Sequence, residues 1–298
     1  MHQFLLEKIM ISLILSLMGC MINLEKLHLL NSFESTTEHP TLPCLNTTFD
    51  VFINVFDVYV VAPETVPIDY LIHTSNVLAE YLDNDADGIP DDALVHDYLV
   101  ANQYILPIWT VAHRESFWEE LQGSSCEDTI GMAASMYYDE DQWALGGIAD
   151  SGRWDTNLEE VWHVVSKGWY AAYPEYFGTF ENESGDFITS KLLEAMDVAR
   201  GGQFLSVPSA YPEEAWYTYT DETCDYACQA HEYFYWILMT NIGALEPTLT
   251  DKCAESQDEW RICTQPELQQ EDILAFELLN GYDFALPTAI PKGSYEGP

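Results

Sequence analysis

The run Asp83-Asn84-Asp85-Ala86-Asp87-Gly88-Ile89-Pro90-Asp91-Asp92 constrains the local fold more than any other stretch of the chain. Carboxylates stand at alternate positions, a glycine follows, and another oxygen-bearing residue comes three places later. That spacing wraps side-chain and backbone oxygens around one hard cation, and the glycine permits the sharp turn. The flanks are helical in pattern. Pro67 opens a helix to about Leu82, and a second runs from about Asp92 to Gln103. The unit therefore reads helix, calcium loop, helix.

The loop resembles the Asp-x-Asp-x-Asp-Gly calcium loops of dockerin and thrombospondin type 3 repeats. The resemblance implies side-chain oxygens from Asp83, Asp85 and Asp87, the carbonyl of Ile89, and a direct or water-mediated contact from Asp91. Leu94 stands where an EF-hand carries a bidentate glutamate, and Asp92 is the candidate to replace it. A structural Ca2+ is expected rather than a sensor. The competing reading is a solvated acidic turn between two helices.

Fifty acidic side chains face ten basic ones, a formal charge of -40. Such a surface repels phosphate backbones, which argues against nucleic acid and anionic membranes as partners. The 9 Trp, 18 Tyr and 13 Phe argue for a packed aromatic core rather than disorder.

Ile9 to Met18 is an apolar run preceded by His2 and Lys8, the pattern of a signal peptide over residues 1–20. Leu17-Met18-Gly19-Cys20 resembles a lipobox, so a lipid anchor through Cys20 is the alternative to secretion. No later stretch is long and apolar enough to span a bilayer. Removal of Cys20 leaves six cysteines, an even set that suggests three disulfides. Cys253 and Cys263 form a local pair, and Cys224 with Cys228 reads as a disulfide or half of a metal site. Asn46-Thr47-Thr48 and Asn182-Glu183-Ser184 are glycosylation sequons.

Residues 49–61 read as one strand, 104–111 as an edge strand because of Pro107, and 132–138 as another. Helices are expected over 113–121, 156–172, 187–199, 228–242 and 266–279, with a loose tail from Pro287. Thr156 and Glu159 fit a capping box. The class is α+β: a helix-rich single domain over residues 44–290, with a small sheet and the helix–calcium loop–helix unit.

Leu158-Glu159-Glu160-Val161-Trp162-His163 places Glu159 and His163 four apart and Glu160 and His163 three apart, on a common helical face. The segment resembles the His-Glu-x-x-His motif of zincin metallopeptidases, with Glu159 in place of the first zinc-binding histidine. The resemblance implies Glu160 as general base and His163 as a ligand to Zn2+ or another divalent transition metal. Glu160 and His163 also match one half of a ferritin-like di-iron pair, but no second half is present. For a third ligand the gluzincin pattern offers Glu232, an acid in an otherwise apolar helix, and Glu194 or Asp197 on the preceding helix. Alternatively, Glu232 pairs with Arg200, Lys167 or His231, Asp197 with Arg200, and His163 is a hydrogen-bonded core residue. Tyr217 and Tyr219 are candidate oxyanion donors. The expected function is a secreted calcium-binding metalloprotein of zincin-like type, either a hydrolase that acts on peptides or an inactive form of one. The alternative is a non-enzymatic, acidic, extracellular calcium-binding protein.

Overall fold

The computed structural model of the chain describes residues 33–181 and 189–298. The apolar leader, Cys20, the sequon at Asn182 and the expected helix start at Phe187 lie outside them. Five strands, β1 (Ser35–Thr36), β2 (Val51–Val55), β3 (Val58–Ala62), β4 (Ile105–Trp109) and β5 (Met136–Tyr137), form one sheet in that order. The first two pairings are antiparallel and the last two parallel. Alternation along the strands gives the sheet two buried faces. Ile53, Val55, Val60 and Leu106 face the helical layer, while Phe52, Val61, Ile105 and Trp109 face a smaller cluster with Phe49 and Phe117. The Cys44–Cys126 disulfide closes that smaller side.

Two strand expectations are corrected. The segment 49–61 is a hairpin, not one strand, because Phe56 and Asp57 both turn left-handed, at φ 50° and 65°. Two such residues make the tight turn that suits strand twist, and Asn54 Oδ1 accepts the Asp57 N–H at 2.6 Å. Pro107 does not mark an edge, since β4 lies between β3 and β5. Ile105 donates to the Gly131 carbonyl, so Pro107, two residues on, aims its missing donor at the same neighbour. There the ladder is interrupted between the Tyr104–Gly131 bridge and the Ile108–Met136 pair.

The crossover from β3 to β4 is the helix–loop–helix unit, with helices Ile68–Leu82 and Ala93–Ala101. Both pack on the helix Asn157–Ala172, which in turn meets the helix Tyr226–Asn241. Gly168 makes the close approach possible, because a Cβ there would sit 2.6 Å from the Val95 carbonyl oxygen. One apolar cluster runs from the sheet through these helices to the C-terminal ones, which is the single α+β body expected. The expected helix 266–279 is two, Gln265–Glu271 and Ile273–Asn280. Asp272 breaks it, since its carboxylate caps Ala275 and also accepts the Trp216 indole and Tyr233 hydroxyl. Cys224–Cys228 and Cys253–Cys263 are disulfides, so the first is not half of a metal site.

The tail is not loose. Glu80 accepts the backbone N–H groups of Lys292, Gly293 and Ser294 at 2.5, 2.9 and 2.9 Å. Asn84 holds Thr288, and the Tyr295 ring stacks on Phe33. These are polar and single-residue contacts, so no apolar periodicity marks them in the sequence. No helix among the described residues is long and apolar enough to cross a membrane.

Candidate metal centre

In the acidic loop, carboxylate oxygens of Asp83, Asp85 and Asp91 lie within 4.8 Å of one another. Asp83 is buried and accepts the Gly88 N–H at 2.8 Å, with Gly88 left-handed at φ 88°. The Tyr295 hydroxyl also donates to Asp83. Burial first, then the neighbouring carboxylates, pushes Asp91 above the usual range. Asp87 stands outside this group and accepts the Ile89 N–H at 2.9 Å. Asp92 does not replace the missing glutamate. Its Oδ1 caps Leu94 and Val95 and its Oδ2 accepts the Tyr173 hydroxyl at 2.6 Å.

The second centre sits on two packed helices. Donor atoms of Glu159, His163 and Glu232 lie within 4.8 Å of one another, and His163 Nε2 is 3.5 Å from Glu232 Oε1. The two side chains remain 13% and 16% exposed, so water reaches them. The first turn of the Asn157–Ala172 helix is gripped from its neighbour. Asp155, buried, accepts the His73 ring at 2.5 Å and the Asn157 side chain at 2.8 Å. Thr74 donates to Asn157 and the Tyr81 hydroxyl to the Leu158 carbonyl. The expected capping box is absent. Thr156 is already helical and accepts the Gln142 N–H instead, which leaves Glu159 facing His163 and the buried Tyr235.

The competing roles are resolved by contacts. Asp197 accepts the Tyr226 hydroxyl at 2.9 Å, and Glu194 pairs with Lys191 at 2.9 Å on the surface; neither joins the group. Arg200 donates to the Phe204 carbonyl among the rings of Phe204, Tyr211 and Tyr226. His231 faces Lys167 Nζ at 3.1 Å and Thr179 at 3.2 Å. Tyr217 is committed to the Gln229 carbonyl at 2.6 Å, which removes it as an oxyanion donor. Tyr219 lies within the field of Glu232, Glu259 and Glu159, although burial is the larger cause of its raised hydroxyl.

Sequence reasoning missed Glu259, Lys252 and Asp141. Glu259 accepts the Trp236 indole N–H at 2.6 Å, and burial lifts it to about 7. Lys252 acts on Glu159 and Glu259, and Asp141 on Glu160. These residues sit on short or irregular segments with no periodic signal. A cleft of about 570 Å³ opens beside them; Asp141 and Lys252 line it, but Glu159, His163 and Glu232 do not.

The centre holds too much negative charge for its surroundings. Burial above all raises Glu159, and raises Glu160 to about 8. Burial alone would lower His163, but Glu232, Glu160 and Glu159 outweigh it and hold it at about 9. A divalent cation suits this donor set, since carboxylate oxygens and imidazole nitrogen are both transition-metal ligands.

A pH dependence follows for the metal-free protein. The folded chain keeps the Glu160 proton from about 4.5 to 8 and the His163 proton from 6.5 to about 9. The unfolded chain releases both earlier, so stability falls as pH rises, by up to about 1.4 kcal/mol per pH unit for each group titrating. Thermal melts from pH 6 to 9 should therefore decline, with a flatter slope in the double variant Glu160→Gln/His163→Gln. A melting temperature that climbs over this range contradicts the assignment.

Comparison with protein-family models, with curated proteins and with solved structures finds no match.

Proposed function

We propose that this chain is an exported, calcium-braced metallo-hydrolase of zincin-like type that acts on peptides. The observation that carries the reading is the convergence of Glu159, His163 and Glu232 from two packed helices, with Glu160 next to the first of them. A divalent cation held by those three would supply Lewis acidity toward a peptide carbonyl. Glu160 would take a proton from the attacking water and return it to the departing amine nitrogen. A carboxyl held near neutrality suits that exchange. Three disulfides support an oxidising compartment, and hence export.

The second reading, a non-enzymatic extracellular calcium binder, is favoured by the Asp83, Asp85 and Asp91 group alone. Elemental analysis of stripped and reconstituted protein separates the two. The hydrolase reading expects one transition-metal ion per chain, lost in His163→Ala and kept in Asp85→Ala, while Asp85→Ala loses calcium. Calcium alone in the wild type leaves only the second reading.

A further inference from the structure

The chain has ten basic side chains against 50 acidic ones, yet Arg153 and Lys252 both line the cleft beside the metal centre. Neither is ion-paired; Lys191–Glu194 is the one Lys or Arg ion pair among the described residues. Two such cations on one concave surface leave charge-assisted donors available to an anion.

Lys252 is also fixed in place. Its ammonium lies 5.3 Å from the Trp154 ring centroid and 5.4 Å from that of Trp236, an arrangement that attracts a cation to ring faces. Trp236 is itself held by its indole bond to Glu259. The ammonium therefore stands at a defined place on the cleft wall, close enough to act on Glu159 and Glu259. Of the acidic lining, Asp141 accepts the Tyr137 N–H at 2.5 Å, and Asp251 and Glu255 are exposed to water. The cleft therefore carries two cations without an ion-pair partner, Lys252 held in place and Arg153 exposed, on one concave surface.

We propose that this cleft is an anion subsite, in which Lys252 and Arg153 receive the free α-carboxylate of a peptide substrate next to the metal centre. The identity of the ligand as a peptide rests on the hydrolase reading above. The anion preference rests on the cleft alone. A guanidinium and an ammonium on one cleft wall are both charge-assisted donors to a carboxylate.

The test reads binding without turnover, so it stands whether or not hydrolysis is found. The intact chain, first without added metal and then with zinc, is titrated with N-acetyl-Ala-Phe-Ala as free acid and as C-terminal amide, with tryptophan emission as the signal. The free acid is expected to bind at least about tenfold tighter than the amide, a difference of roughly 1.4 kcal/mol. Lys252→Gln should remove most of that preference. Arg153→Gln, at an exposed position, should weaken it without a change in melting temperature. N-acetyl-Ala-Asp-Ala amide reports the source of the anion, and binding of it equal to the free acid assigns the subsite to an acidic side chain. Equal affinity of acid and amide overturns the proposal. So does a preference that survives both substitutions, or no binding of any of the three peptides.

Discussion

Asp155→Ala is expected to cost about 3–5 kcal/mol of folding stability, because it leaves several buried donors without an acceptor at about 1–3 kcal/mol each. Asp155 and His73 are almost fully buried and meet at 2.5 Å. The same carboxylate accepts the backbone N–H and the side-chain amide of Asn157, at 3.2 and 2.8 Å. Removal strands an imidazole in the core and releases the first turn of the helix that carries Glu159 and His163. Denaturant unfolding gives the stability. A second consequence follows from the geometry: metal affinity should fall as well, because the donor atoms lose their fixed start. Asp155→Asn keeps one acceptor oxygen and should cost less. A loss below about 1 kcal/mol, the level of an ordinary single hydrogen bond, would show that the pair does not anchor the helix.

What the sequence displayed and what it hid divide along physical lines. The Asn157–Ala172 helix was bounded within a residue, although the capping box that suggested its start is absent and only Pro174, a local stop signal, marks its end. Asp92 was visible at a helix start, but its role as cap rather than calcium ligand depends on Tyr173, far along the chain. The hairpin at Phe56-Asp57 lacks the glycine or asparagine that usually marks such a turn, so a continuous β-branched run looked like one strand. Glu232 was legible as an acid on an apolar helix, which must be paired or bind a cation. The preference for it over Asp197 is a fact of how two helices face each other, and no spacing rule contains it. Glu259 and Lys252 were invisible for the same reason, since each gains its role from Trp236.

Glu160→Gln should lower hydrolysis of internally quenched peptides by about 10²–10⁴-fold, the usual contribution of a positioned general acid–base. The amide keeps the size and polarity of the side chain but exchanges no proton. Glu160 lies outside the group Glu159, His163 and Glu232, so the variant should bind metal with unchanged stoichiometry, whereas Glu159→Gln should not. Stability separates a chemical role from a structural one. Burial is the first cause that raises Glu160 to about 8, so the folded chain is strained by its charged form above that pH. The neutral amide removes that strain, and the metal-free variant should melt higher than the wild type at pH 9. A carboxylate kept only for packing or pairing would behave the other way, with stability lost and activity little changed. Loss of activity together with a gain in stability is the signature of a group held at an unfavourable place for its chemistry. Unchanged turnover in Glu160→Gln would remove it from the reaction and leave the base to be sought among Glu259 and Tyr219.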